Sequence, residues 1–130
     1  MSKIIPEVPM ISDALRKAGV PLSPVVRCGD TVYVSGIPPL DPQTGKVEIC
    51  DIRVQTALVL NNVKACLEAA GSSLDKVVKC TVYCANAAYY DEVNAVYGTY
   101  FATNPPARTF VTVASWPWPF DIEIDCVAYV

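Results

Sequence analysis

Arg108 is the only cation between residue 105 and the C-terminus. The surrounding stretch, PPARTFVTVASWPWPFDIEIDCVAY (105–129), is largely apolar, and its other charges are the carboxylates at positions 121, 123 and 125. A buried guanidinium without an anion costs on the order of several kcal/mol, whereas its planar fork can bond both oxygens of one carboxylate. Arg108 therefore needs an anionic partner, which is either a protein carboxylate in a structural ion pair or the carboxylate of a ligand.

The second candidate for chemistry is Glu123, which stands between Ile122 and Ile124. Apolar neighbours disfavour the charged form of a carboxyl group and raise its pKa, so that Glu123 can exchange a proton near neutral pH. Two other interpretations remain open at this point. Glu123 is either a solvated strand residue or the partner of Lys79 across the sheet.

The chain contains no histidine, which excludes histidine-based triads and histidine metal ligands and argues against a zinc site. Its six cysteines include no CxxC pair, and we expect them to be reduced thiols that pack as small hydrophobes. A glycine-rich phosphate loop is also absent from the sequence. We therefore expect neither a metal nor a cofactor.

The net charge is −3, and no run of Lys or Arg occurs, which argues against nucleic acid as a partner. No apolar run approaches the roughly 20 residues of a membrane span. Lys3 is not followed by an apolar segment, so we expect no secretory signal and a cytoplasmic protein, with the mitochondrion as the alternative. Because 52% of the 130 residues are hydrophobic, a subunit interface is the expected place for the excess apolar surface.

The elements that must position Arg108 and Glu123 follow the order ββ-α-β-α-ββ in a single α+β domain, 1–130. Apolar alternation and helical spacing predict strands at 31–36, 47–49, 74–84, 109–114 and 122–129, and helices at 51–70 and 87–102. We interpret residues 1–23 as a variable N-terminal extension packed on this domain, with a short helix that ends at Gly19 and is capped by Ser12 or Asp13.

Right-handed crossovers allow both long helices to lie on one face of the sheet, which leaves the other face bare for another subunit. We expect the last two strands to be antiparallel neighbours joined through the Trp-Pro turn at 116–119. That pairing would bring Arg108 and Glu123 to opposite ends of one small acid. In the second helix, the spacing of Tyr90, Tyr97 and Tyr100 indicates core packing.

Four motifs together make the chain resemble the Rid (RidA/YjgF) family of reactive-intermediate deaminases. They are VSGIPPLDPQTGKV (34–47), NNVKACLEAAGSSLDKVVKCTVYC (61–84), DEVNAVYGTYF (91–101), and PPARTFVTV (105–113) followed by the P…IEID ending. The order and spacing of all four motifs make a chance similarity improbable.

The resemblance implies a chorismate-mutase-like α+β subunit with two helices on one face, a homotrimer, and a site at each subunit interface. It implies that Arg108 grips the substrate carboxylate and that Glu123 positions the attacking water. Ser35, Asn94 and Pro117 match supporting positions of the family. From the residues alone, Ser35 and Asn94 are equally well explained as local hydrogen-bonding residues.

Two substrate-binding positions depart from the family pattern. Val25 stands where the family often has a tyrosine, and Phe110 stands where it often has a cysteine. We interpret this pair as a reshaped apolar pocket that favours substrates with hydrophobic side chains.

The implied activity is the metal-independent hydrolysis of enamines and imines, such as 2-aminoacrylate and 2-iminopropanoate, to 2-keto acids and ammonia. An imine of a 2-keto acid already has an electrophilic carbon, so the protein only has to hold the carboxylate and place one water molecule. The alternatives are a non-enzymatic trimeric carboxylate-binding or chaperone-like module, and a relative that acts on a larger enamine such as an aminomuconate-type acid.

Overall fold

A computed structural model of the chain describes residues 2–130, which form three helices and eight strands with two short 3₁₀ turns. The helices are α1 (Ile11–Ala18), α2 (Ile52–Ala69) and α3 (Tyr90–Tyr100). The strands are β1 (Lys3–Ile4), β2 (Val25–Cys28), β3 (Thr31–Ile37), β4 (Leu40–Asp41), β5 (Lys46–Val47), β6 (Val77–Cys84), β7 (Ala107–Thr112) and β8 (Ile122–Tyr129). No helix among residues 2–130 has the length and apolar character needed to cross a membrane.

The main sheet has six strands in the order β1-β2-β3-β8-β6-β7, in which only the β6–β7 pair is parallel. The inward face of β8 is apolar and buried, with Ile122 and Ile124 fully enclosed. Residues of α2, among them Val59 and Val63, are buried in the same core, as is Val93 of α3. The expected α+β architecture is confirmed.

The opening pair of strands differs from the sequence-based expectation. β3 forms a hairpin with β2, a strand that the sequence pattern left unassigned, and Gly29 and Asp30 join the two strands. Gly29 has a φ of 61°, a left-handed conformation that glycine adopts without strain. The strand expected at 47–49 is only the short β5, which pairs with β4 in a separate two-stranded sheet.

The closing pair of strands was also predicted wrongly. β7 pairs in parallel with β6, and β8 lies on the other side of β6, between β6 and β3. β7 and β8 therefore run in opposite directions but do not touch as a hairpin. The reason is that the β6-α3-β7 crossover places a parallel strand directly beside β6, while the apolar face of β8 packs beneath α2 at the centre of the sheet.

The face of the sheet opposite the helices carries residues that alternate with the core. Tyr33 and Tyr129 on this open face are each about half exposed, with exposed fractions of 51% and 50%, and Val111 also remains exposed. Glu123, Asp125 and the half-buried residues beside them share this face because they alternate with the buried Ile122 and Ile124. A single chain thus leaves a mixed apolar and acidic surface uncovered.

The N-terminal residues are tied to the domain. β1 pairs with β2, and Val8 and Ile11 are buried in the core. The predicted short helix is α1, and Gly19 ends it in the left-handed conformation, as expected. Ser12 lies inside the helix, and its hydroxyl accepts a hydrogen bond from the Val8 N–H rather than capping the helix in the predicted manner.

Candidate functional site

Arg108 lies on β7, opposite Cys80 of β6, and projects toward α3 on the helix-covered face of the sheet. Its Nη1 donates a 2.7 Å hydrogen bond to Oδ1 of Asn94, and its Nη2 lies 3.4 Å from the hydroxyl of Tyr90. Within residues 2–130, no carboxylate lies close enough to Arg108 to form an ion pair. The structural ion pair considered from the sequence is therefore not formed in the single chain, and the guanidinium keeps donors for a ligand.

Three aromatic rings surround this guanidinium. The Cζ atom of Arg108 lies 4.9 Å from the ring centre of Tyr97, 5.6 Å from that of Tyr90 and 6.0 Å from that of Phe110. Rings of this kind attract a cation and lower the local dielectric constant, which strengthens the attraction between the guanidinium and any anion that reaches it. The Arg108 cluster, defined as Tyr90, Asn94, Tyr97, Arg108 and Phe110, is therefore suited to binding a small carboxylate.

Glu123 lies on β8, opposite Tyr83 of β6, and is half-buried. Burial raises the pKa of Glu123 above its ordinary value, and the negative charge of Asp125 raises it further. Lys79 is not its partner, because the Lys79 amine donates to Oγ1 of Thr109. The direction of this pKa shift agrees with the sequence-based expectation and suits a group that exchanges a proton with a reacting molecule.

Arg108 and Glu123 are not brought together within one chain. Arg108 shares a face with the buried Cys80, whereas Glu123 lies on the open face beside Tyr83. Their positions on β7 and β8, on either side of β6, place the two Cα atoms about 14 Å apart at ordinary strand spacings. The expectation that the two side chains flank one acid is therefore wrong for a single chain.

Asn94, Ser35 and Pro117 have different surroundings. Asn94 is part of the Arg108 cluster, where it orients the guanidinium. Ser35 donates its hydroxyl to the carbonyl oxygen of Ser23 at 2.6 Å, which is the local hydrogen bond considered as the alternative. Pro117 is exposed in the loop between β7 and β8, which is held by a 2.7 Å hydrogen bond from Trp116 Nε1 to the carbonyl of Phe120.

The two positions that depart from the family pattern also separate. Val25 is fully buried opposite Val34 in the core, so its side chain offers no surface to a ligand. Our interpretation of Val25 as part of a reshaped pocket is wrong, because β2 turns this residue toward the core. Phe110 does lie in the Arg108 cluster, where its ring meets that of Tyr90 edge-on at 4.9 Å and 81°.

Three further residues near the candidate groups were missed from the sequence. Tyr90 was assigned to the core by its helical spacing, but its side chain is 44% exposed and contacts Arg108. Gly36 leaves the space that the Glu123 carboxyl occupies. Gln55, buried on α2, accepts from the backbone N–H of Asp121 at 2.9 Å and donates to its carboxylate at 2.8 Å, which anchors the start of β8. The place of Gly36 beside Glu123 follows from the pairing of β3 with β8, for which the sequence contains no local signal.

A family profile described as Endoribonuclease L-PSP matches residues 12–130, which is most of the chain. The chain belongs to this family, the Rid (YjgF/RidA/RutC) proteins. The resemblance seen in the four sequence motifs is thereby confirmed.

Individual Rid proteins are similar along most of their length. A RutC family protein of Pyrococcus horikoshii is 42% identical over 109 residues, which cover 84% of this chain and 86% of that protein. Reactive Intermediate Deaminase A, chloroplastic, of Arabidopsis thaliana is 37% identical over 108 residues, covering 83% of this chain and 58% of that protein. The crystal structure of a Thermotoga maritima protein described as an endoribonuclease superposes with a TM-score of 0.90 at 41% identity, covering 100% of this chain and 98% of that one. The Rid family thus includes a reactive intermediate deaminase, and this chain has the Rid fold.

Proposed function

We propose that this Rid protein hydrolyses imines and enamines of small 2-keto acids, with Arg108 of one copy and Glu123 of a second copy forming each site. The observation that carries the proposal is the Arg108 cluster, in which a half-buried guanidinium walled by aromatic rings has no carboxylate partner among residues 2–130. The name of the Arabidopsis relative supports the reaction class. Arg108 and Glu123 lie on opposite faces of the sheet, and this arrangement supports a site shared between copies.

In the proposed reaction, Arg108 binds the carboxylate of the 2-imino acid and holds the C=N carbon in place. The imine reacts in its protonated form: Glu123 accepts a proton from a water molecule while the water oxygen bonds to that carbon and the C=N electron pair moves to nitrogen, which gives a neutral carbinolamine. The protonated Glu123 then returns the proton to the nitrogen, and as the C–N bond breaks the hydroxyl proton passes to solvent, so that ammonia and the 2-keto acid leave. An enamine enters the same sequence after protonation at carbon converts it to the imine.

The proposed assembly is a homotrimer, as the resemblance implies, in which the open face of one copy is covered by its neighbour. The uncovered Tyr33, Val111 and Tyr129 support association, because burying them removes apolar surface from water. We expect light scattering to give about three times the chain mass. The family description as an endoribonuclease is less well supported for this chain, because its net charge is −3 and it has no run of basic residues.

The deciding experiment is complementation between two inactive variants, measured as ammonia release from freshly generated 2-aminoacrylate. Arg108→Ala removes carboxylate binding, and Glu123→Gln keeps the shape but removes the proton acceptor, with an expected rate loss of about a hundred- to ten-thousand-fold. Chains of the two variants are refolded together in equal amounts. A working site then needs an intact arginine from one copy and an intact glutamate from the next, so about a quarter of the wild-type rate should return.

The outcomes separate the candidate functions. A mixture that assembles but stays inactive would rule out a site shared in this way. Wild-type protein that binds a 2-keto acid but releases no ammonia from any imine would instead indicate the non-enzymatic carboxylate-binding module. Activity confined to large enamines would indicate the aminomuconate-type alternative.

A further inference from the structure

Tyr90 opens α3 and stands beside Arg108 with its ring partly in solvent, at 44% exposure. The ring is fixed on two sides, by the edge-on contact with Phe110 at 4.9 Å and by the guanidinium 5.6 Å from its centre. Both contacts are made by the ring of Tyr90, and neither involves its hydroxyl group. The ring contacts therefore set the position of the hydroxyl group beside Arg108.

The direction of the hydrogen bond at this hydroxyl leaves its proton free. Arginine has only donors, so Nη2 of Arg108 donates to the Tyr90 oxygen at 3.4 Å and the phenol oxygen accepts. The phenol O–H donates to no acceptor within residues 2–130. Asn94 occupies the other terminal nitrogen, Nη1, through its Oδ1 atom. An anion at the open edge of the guanidinium would thus meet the Nη2 donors and the phenol proton side by side.

We propose that Tyr90 is a substrate-binding residue whose hydroxyl donates a second hydrogen bond to the carboxylate held by Arg108. This inference rests on the proposed function and makes its substrate class narrower. The site selects 2-imino and 2-keto acids over their neutral amides and esters, because a carboxylate oxygen accepts from two donors of different residues while carrying the charge that the guanidinium attracts.

Tyr90→Phe tests the hydroxyl alone, because the ring contacts with Phe110 and Arg108 remain. We expect the Kd of 2-oxobutanoate, measured by calorimetry, to rise about tenfold, the effect of losing one hydrogen bond to a charged group. The KM for the matching imine should rise similarly with little change in kcat, since the bond is made before and during the reaction. Binding of 2-oxobutanamide should change less, so the preference for acid over amide should fall.

Tyr100→Phe is the matched control, because Tyr100 lies on the same helix and its hydroxyl donates to Asn61 Oδ1 at 2.8 Å, away from Arg108. This variant should keep the wild-type Kd and the wild-type preference for the acid. A Tyr90→Phe variant with wild-type Kd and unchanged preference for acid over amide would overturn the role of Tyr90 and leave the proposed function intact. A wild-type protein that binds no 2-keto acid and deaminates no imine would overturn the proposed function, and this inference with it.

Discussion

Gly36 is the residue whose substitution tests the place of Glu123 most directly. Gly36 lies where the register of β3 against β8 shifts, between Val34 and Ile37. A Cβ atom built on Gly36 would lie 2.5 Å from Oε1 of Glu123 and 3.1 Å from its Cδ. Ordinary contacts begin near 3.4 Å, so in Gly36→Ala the carboxyl group must move by about 1 Å.

The expected effect on the reaction follows from this displacement. A misplacement of about 1 Å in a reacting group can cost about a hundredfold in rate, and we expect that loss in the ammonia-release assay. Binding of a stable 2-keto acid should persist, because Arg108 belongs to a separate cluster on the other face of the sheet. The backbone of Gly36 is not in the left-handed region, so alanine adds only a side chain. Overpacking should lower the stability by about 1–3 kcal/mol.

Gly98→Ala is the matched control, because a Cβ atom at Gly98 in α3 meets nothing within 4 Å. Its rate should equal that of the wild type, and its stability should rise by roughly 0.5–1 kcal/mol. The ammonia-release rates are compared only between variants whose assemblies have the same mass in solution as the wild-type assembly. A Gly36→Ala variant with the wild-type rate would show that the carboxyl position of Glu123 does not matter for turnover, and the assignment of Glu123 would then fail.

Two further predictions concern the charged residues themselves. Arg108→Ala should bind a 2-keto acid more weakly by about 2–5 kcal/mol in calorimetry, and Arg108→Lys should recover only part of this loss. Equal binding by the wild type and both variants would contradict carboxylate binding at Arg108. The folded-state pKa of Glu123 is raised above its ordinary value of 4.5, so its stabilising contribution is present below the unfolded pKa and is lost as pH rises through the folded pKa. Glu123→Gln should therefore lose less stability than the wild type as the pH rises above 4.5 in thermal unfolding, and identical pH profiles would contradict the shift.

Local patterns predicted the elements whose residues interact mainly with near neighbours. The apolar stripe of α2, with Val59, Val63 and Cys66, was identified from helical spacing, and all three residues are buried. The inward face of β8 followed from strict alternation. Helical and strand periods are set by the backbone alone, so a single sequence is enough to detect them.

Long-range pairing could not be predicted in the same way. The Trp-Pro segment suggested a hairpin of β7 and β8, but its length also allows β8 to cross to the far side of β6. Which arrangement wins depends on how much apolar surface of β8 is buried beneath α2, and that quantity belongs to the folded domain. Val25 and Tyr90 were misplaced for related reasons, since the first depends on the unassigned strand β2 and the second on the chain that packs beside the start of α3.

The central position of β8 also determines how a catalytic site can be built. In a hairpin, Arg108 and Glu123 would lie on neighbouring strands of one chain, and a single copy could in principle react with a small acid. With β6 between them, the two side chains leave from opposite faces of the sheet. The face that carries Glu123 is also the face on which Tyr33 and Tyr129 remain half exposed. The contact that would remove this apolar surface from water is therefore the same contact that the proposed chemistry requires, so that association and turnover depend on one surface.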